Sequence, residues 1–154
     1  MEKETLKKIF EFLEEKEGHN APFIWKLKYN IPFTEESVTI NDDLDLSRIE
    51  ITLWPKRLKV VGNLFLGDSE IKSLPDNLEV TGYLDLNRSR ITSLPSTLKV
   101  GGDLRLRNCK SIKTLPKGLE VSGNLFVYGS DLQYYSDHDL YEMVKPGEIV
   151  GEIF

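Results

Sequence analysis

One cysteine, Cys109, and two histidines, His19 and His138, are the side chains of this 154-residue chain suited to nucleophilic or proton-transfer chemistry. A thiolate attacks electrophilic carbon or sulfur when a neighbouring base or cation lowers its pKa, and an imidazole titrates near neutrality. No spacing links the three residues. His19 falls in a turn expected at a helix end, and His138 in the first turn of an expected terminal helix. Cys109 aligns with Ser69, Ser89 and Ser130 at one repeating position, which reads as a structural column rather than a nucleophile. The sequence contains no HExxH, no cysteine pair, no GxSxG elbow and no phosphate-binding glycine loop. The expectation is a protein that is not an enzyme and takes no cofactor or metal. An enzyme built on Cys109 is the disfavoured alternative.

Charged side chains offer binding chemistry instead. Arg88, Arg90, Arg105 and Arg107 come from two adjacent repeats, with Lys110 and Lys113 nearby, and guanidinium groups recognise phosphates and carboxylates. Against this, 20 Lys and Arg face 25 Asp and Glu, a formal charge of -5, so the basic excess usual in a nonspecific nucleic-acid binder is missing. Nucleotide or nucleic-acid binding through Arg88, Arg105 and Arg107 therefore stands as the second expectation. A lone cysteine forms no internal disulfide and suits a reducing compartment, so the expected location is cytoplasmic. The amino-terminal residues mix Glu and Lys without an apolar stretch, and no apolar run approaches the roughly 18 residues of a transmembrane helix. Neither a secretory signal nor a membrane partner is expected.

These residues are positioned by a repeat. Segments starting at Trp54, Leu74, Leu94 and Leu115 align, with prolines at Pro55, Pro75, Pro95 and Pro116 and glycines at Gly62, Gly82, Gly102 and Gly123. The glycine steps are 20, 20 and 21 residues, and a degenerate earlier copy runs from Val38 to Leu53 with Asp42 in place of glycine. About five turns result. Within a copy, Leu78, Val80, Gly82, Leu84 and Leu86 alternate with polar residues, the period of extended chain. Glycine on the inward side lets the backbone bend and approach the axis, and the Leu-Pro pair, which lacks one amide hydrogen, belongs at another corner. No single turn buries enough to fold alone, so stability must come from stacking neighbours and from caps.

Leu64, Leu66, Ser69 and Ile71, then Leu84, Leu86, Ser89 and Ile91, resemble the LxLxxNxL core of leucine-rich repeats, and Leu104, Leu106 and Cys109 resemble its cysteine variant. The LPxxL segments are similar to those of bacterial effectors and of small repeat proteins carried by bacteriophages and prophages. The resemblance covers Val38 to Tyr135. It implies a β-rich α/β solenoid with parallel stacked strands that binds a protein partner, by analogy as an inhibitor of a host protein. Two departures change the expected shape: VxGxLxL replaces LxxLxL, pointing to a squarer β-solenoid than a horseshoe, and Ser replaces Asn in the ladder, where a hydroxyl still bonds to backbone but its shorter reach alters the bend. A catalytic cysteine domain, present in some such effectors, does not fit in the residues after Tyr135.

Three regions follow: an amino-terminal cap at 1–37, a solenoid at 38–135 and a carboxy-terminal cap at 136–154. The first cap is expected to hold a helix from Glu2 to Glu17, with Leu6, Ile9, Phe10 and Leu13 on one stripe and Gly18 as its stop, then an extended segment in which Phe23, Trp25, Leu27 and Tyr29 alternate. The second should hold a helix from Asp137 to Lys145, preceded by Ser136 and stopped by Pro146 and Gly147, then a terminal strand. Homodimerisation through a cap or an open solenoid end is a further expectation. The outward positions of the principal strand form the candidate partner-binding face, and Asp45, Phe65, Tyr83, Asp85, Arg88, Arg105, Arg107, Phe126 and Tyr128 are its candidate contact residues. Aromatic side chains and arginine dominate binding hot spots. A second outward column, Lys59, Glu79, Lys99 and Glu120, alternates in sign and reads as cross-strand pairing.

Overall fold

Alternating apolar residues two apart place one side of an extended chain against a core, and a repeat of this pattern stacks such segments in parallel. A computed structural model describes residues 3–17, 21–33 and 37–154 and shows this stacking. The first rung contains β1 (Ser37–Ile40) and β2 (Leu44–Asp45), and the second β3 (Arg57–Val60) and β4 (Leu64–Phe65). The third contains β5 (Glu79–Val80) and β6 (Leu84–Asp85), the fourth β7 (Lys99–Val100) and β8 (Leu104–Arg105), the fifth β9 (Glu120–Val121) and β10 (Leu125–Phe126). Odd-numbered strands from β1 to β9, followed by β11 (Glu148–Ile149), form one parallel six-stranded sheet, and the even-numbered strands form a parallel five-stranded sheet. The protein is a β-solenoid with a few helices.

Between the two sheets each turn bends at glycine. The Gly82 amide donates to the Gly62 carbonyl, Gly102 to Gly82 and Gly123 to Gly102, at 2.8 to 3.0 Å. A Cβ on Gly82 would lie 2.7 Å from the Gly62 carbonyl oxygen, and one on Gly102 would lie 2.9 Å from the Gly82 carbonyl carbon. This close approach is why the position is glycine wherever a turn lies beneath it. Asp42 occupies the same position on the first rung, where it is exposed and no described rung lies beneath it.

Past the second sheet the chain turns at a left-handed residue. Arg48, Asp68, Arg88, Asn108 and Gly129 have φ from 54° to 78°, one in each rung. The amides of Asp68, Arg88 and Asn108 donate to the next rung at Asn87, Arg107 and Tyr128. Ser69, Ser89, Cys109 and Ser130 follow, all buried, with the Ser89 hydroxyl 3.7 Å from the Cys109 thiol. The hydroxyls of Ser69 and Ser130 donate to Leu66 and Val127 at 2.6 Å, and the Cys109 thiol donates to Leu86 at 2.9 Å. Inside this frame one core runs the length of the stack, from Leu44 and Leu46 through Leu64, Leu84 and Leu104 to Leu125, each fully buried.

The caps depart from the expected pattern in two places. The first helix, α1 (Lys3–Glu17), is present and lies against α2 (Ala21–Lys28). Gly18 and His19 lie outside the described residues, as do the side chains of Leu6, Phe10 and Leu13. The segment expected to be extended is helical: α2 buries Phe23 and Leu27, four residues apart, in the solenoid core, and sets Trp25 against Tyr29 with ring centroids 4.5 Å apart. Residues two apart on a strand and four apart on a helix overlap in this sequence, and Pro22 is tolerated in a first helical turn. The helix closes on left-handed Asn30, with the Ile31 amide on Lys26 and the Asn30 amide on Leu27, a Schellman arrangement.

At the other end α3 (Asp137–Val144) is capped by Ser136, whose hydroxyl accepts from the Asp139 amide while the Asp139 carboxylate accepts from the Ser136 amide. The last segment is more than a terminal strand. β11 pairs with β9, Ile153 bridges to Leu125, and the Gly151 amide donates to Gly123, so residues 148–154 repeat the bend of a further rung. The Gly151 carbonyl accepts the Tyr141 hydroxyl at 2.8 Å, where the carbonyl of every lower corner glycine accepts a glycine amide.

Two outcomes are expected. Gly102→Ala should lower stability by roughly 1 to 3 kcal/mol in urea unfolding through overpacking, and Gly67→Ala, whose Cβ would be 3.3 Å from the Asn87 carbonyl, by clearly less. The Asp139 carboxyl is held below the usual carboxylate range by the Ser136 hydroxyl and amide. A depressed folded pKa means that this contact stabilises α3 above the ordinary carboxylate pKa and is lost as pH falls through the folded value. A carboxyl-carbon NMR titration should find Asp139 low, and Ser136→Ala should return it toward the ordinary value.

Candidate partner-binding face

Residues that alternate with the buried leucines of β2, β4, β6, β8 and β10 point outward in register. Strand pairing sets Asp45 beside Phe65, then Asp85, Arg105 and Phe126, and the Leu125 to Ile153 bridge continues the column to Phe154. A parallel column starts at the corner with Asp43, Asn63, Tyr83, Asp103, Asn124 and Glu152, and a third contains Ser47, Gly67, Asn87, Arg107 and Tyr128.

The corner column is knitted by side chains onto backbone. Asp43, Asn63, Asp103 and Asn124 each accept, through Oδ1, the amide of the equivalent residue one rung on, at 2.7 to 2.9 Å. The sequence signal for this role is the recurrence of Asp or Asn directly after the corner position. In the middle and third columns, the carboxylates of Asp45 and Asp85 accept the amides of Ser47 and Asn87, and Asn87 Oδ1 accepts the Arg107 amide. Asp45 and Asp85 thus hold the backbone while remaining on the face.

The aromatic and arginine residues form two stacks. Phe65 meets Tyr83 edge to face with centroids 5.3 Å apart, and the Arg105 guanidinium lies 4.2 Å from the Tyr83 ring centroid. Arg105 also sits 3.7 Å from Asp103. Arg107 lies 4.5 Å from the Phe126 centroid, and Phe126 stacks on Phe154 at 5.1 Å and 16°. Phe154, absent from the sequence reading of this face, was legible in the match between EVSGNLF and EIVGEIF. Phe65, Tyr83, Asp85, Arg105 and Phe126 are half-buried by these contacts, Phe154 is 52% exposed and Tyr128 is 71% exposed.

Arg88 departs from this group. It stands at the left-handed corner and forms a two-point contact with Asp68 of the preceding rung, at 2.6 and 2.8 Å. That contact holds Asp68 below the usual carboxylate range and raises Arg88 above its own. The guanidinium groups of Arg88, Arg105 and Arg107 therefore share no partner: Asp68 holds the first, Tyr83 and Asp103 the second and Phe126 the third. On the other sheet Lys59 pairs with Glu79 at 2.7 Å and Lys99 with Glu120 at 3.1 Å, as the alternating column implied. Exposed pairs of this kind contribute little each.

Cys109 is fully buried, and burial pushes its thiol pKa up, with Ser89 3.7 Å away in the same column. His138 is exposed in the first turn of α3. Among the described residues no group of His, Cys, Asp and Glu could hold a metal ion, and no helix is long and apolar enough to cross a membrane. The class defined by this geometry is a capped solenoid with one ordered outer face. The chain matches no family model, no curated protein and no solved structure.

Cys109 should react slowly with iodoacetamide in the native protein and readily in denaturant, because the reactive thiolate is disfavoured and shielded. Cys109→Ser should keep the fold, since serine fills this position on the neighbouring rungs.

Proposed function

We propose that this chain is a non-enzymatic binding module that docks a protein partner on the face formed by β2, β4, β6, β8 and β10. The observation that carries this reading is the band of Phe65, Tyr83, Arg105, Arg107, Phe126 and Phe154, held rigid by contacts between rungs. A rigid aromatic or stacked guanidinium loses little conformational entropy on binding, which makes such groups effective anchors. Cation–π stacking occupies the flat side of a guanidinium and leaves its N–H edge able to donate. Tyr128 stands beside this band with its ring in solvent.

Nucleotide or nucleic-acid binding through Arg88, Arg105 and Arg107 is the weaker reading. It needs converging cations, whereas Arg88 is committed to Asp68 and Arg105 is flanked by Asp85 and Asp103.

The test is affinity capture with the wild-type protein beside a Phe65→Ala, Arg105→Ala, Phe126→Ala variant, with circular dichroism to verify that both are folded. A protein retained by the wild type and lost by the variant supports the face. Equal capture by both overturns it. Nucleotide binding would instead show steep salt dependence and vanish in Arg105→Ala, Arg107→Ala.

A further inference from the structure

We propose that the occupant of this face is a second copy of the chain, docked face to face with its solenoid axis reversed, an inference that rests on the binding reading above. The argument is the order of residues along each column. A two-fold axis lying parallel to the strands, midway between the third and fourth rungs, sets each column against itself in reverse. The third rung then faces the fourth, the second the fifth and the first the sixth.

Under this operation the middle column places Asp85 opposite Arg105 and Phe65 opposite Phe126. The third column places Asn87 opposite Arg107, and Gly67, which has no side chain, opposite the projecting ring of Tyr128. The corner column places the Tyr83 hydroxyl opposite the Asp103 carboxylate. On the central four rungs the Asp85–Arg105, Phe65–Phe126, Gly67–Tyr128 and Tyr83–Asp103 matches are complementary in charge, ring character, bulk or hydrogen bonding, and the two-fold makes each match twice. The unmatched pairs, Asp43 with Glu152 and Asp45 with Phe154, fall at the outermost rungs, where solvent screens the carboxylates.

The face is also shaped for self-contact. Backbone bonds also cross between the second and third rungs beyond the two sheets, from the Arg90 amide to Ser69 and from the Thr92 amide to Lys72, so at that step the side of the coil past the left-handed corner keeps a ladder spacing too. Rungs held at one spacing on three sides do not fan apart, so the middle of the face is not drawn into a concave arc at this step. Six rungs at ~4.8 Å and three outward positions across give roughly 500 Å² per copy, about 1,000 Å² in total, near the lower limit for a specific interface. An area of this size fits a dimer of modest affinity.

The test is sedimentation equilibrium of the full chain from about 10 μM to about 1 mM, a range that spans a modest dissociation constant. The wild type should dimerise. Asp85→Arg and Arg105→Asp should each weaken association about tenfold or more by placing like charges opposite, and the two together should restore it to within about threefold. These residues are also register neighbours within one chain, and their reversal removes the Asp85 bond to the Asn87 amide and the Arg105 stack on Tyr83, so circular dichroism checks that each variant is folded. A wild type that stays monomeric, or a dimer indifferent to either single charge reversal, overturns the proposal. If the wild type is monomeric while the triple alanine variant still loses a captured protein, only the second-copy inference fails. If that variant captures equally, the binding reading fails with it.

Discussion

The structure depends on the approach of one backbone to another at the glycine corner. Gly62, Gly82, Gly102, Gly123 and Gly151 stack amide to carbonyl, and at Gly82 and Gly102 there is no room for a Cβ between one turn and the next. That contact sets the level of each rung and the register of both sheets. With register set, equivalent residues fall into columns, and every column becomes a separate chemical surface. Inside lies the leucine core. At the left-handed bend lies the Ser69, Ser89, Cys109 and Ser130 series, whose short polar side chains satisfy buried groups without spreading the turns.

Most of this was legible because the period of two and the spacing of glycine and proline agree with one another over consecutive copies. The misreadings came where two periods coincide or a marker is missing. Phe23, Trp25, Leu27 and Tyr29 satisfy a strand pattern, yet Phe23 and Leu27 also satisfy a helical one, and burial against the first rungs decides for the helix. The last rung escaped notice because α3 replaces its Leu-Pro segment, stretching the step from Gly123 to Gly151 to 28 residues. At the face, alternation identified which residues point outward but not which way their long side chains lean. Arg88 illustrates the limit: its left-handed backbone directs it to Asp68, a pairing that spacing alone left open.

The two sheets handle their outer surfaces differently. Across the odd-numbered strands Lys59 with Glu79 and Lys99 with Glu120 close pairs between rungs. Across the even-numbered strands the carboxylates and amides turn to backbone hydrogens, which leaves the rings and guanidinium groups to stack on each other. The first surface is neutralised within the chain. The second is organised but retains apolar ring edges and guanidinium N–H groups, the combination that a protein surface can complement.

A parallel stack is open at its ends, and unpaired strand edges invite further strands. Here both ends are altered. Phe23 and Leu27 of α2 are buried in the same core as the first rung. At the last rung the Tyr141 hydroxyl takes the Gly151 carbonyl that the next glycine amide would otherwise claim, so the defining contact of the stack is answered from within the chain. Adding a further turn through the same glycine contact would require displacing that bond. The carbonyl ladder at the corner is closed while the columns of the even-numbered strands stay in solvent contact, so association through the face costs none of the contacts that hold the rungs together.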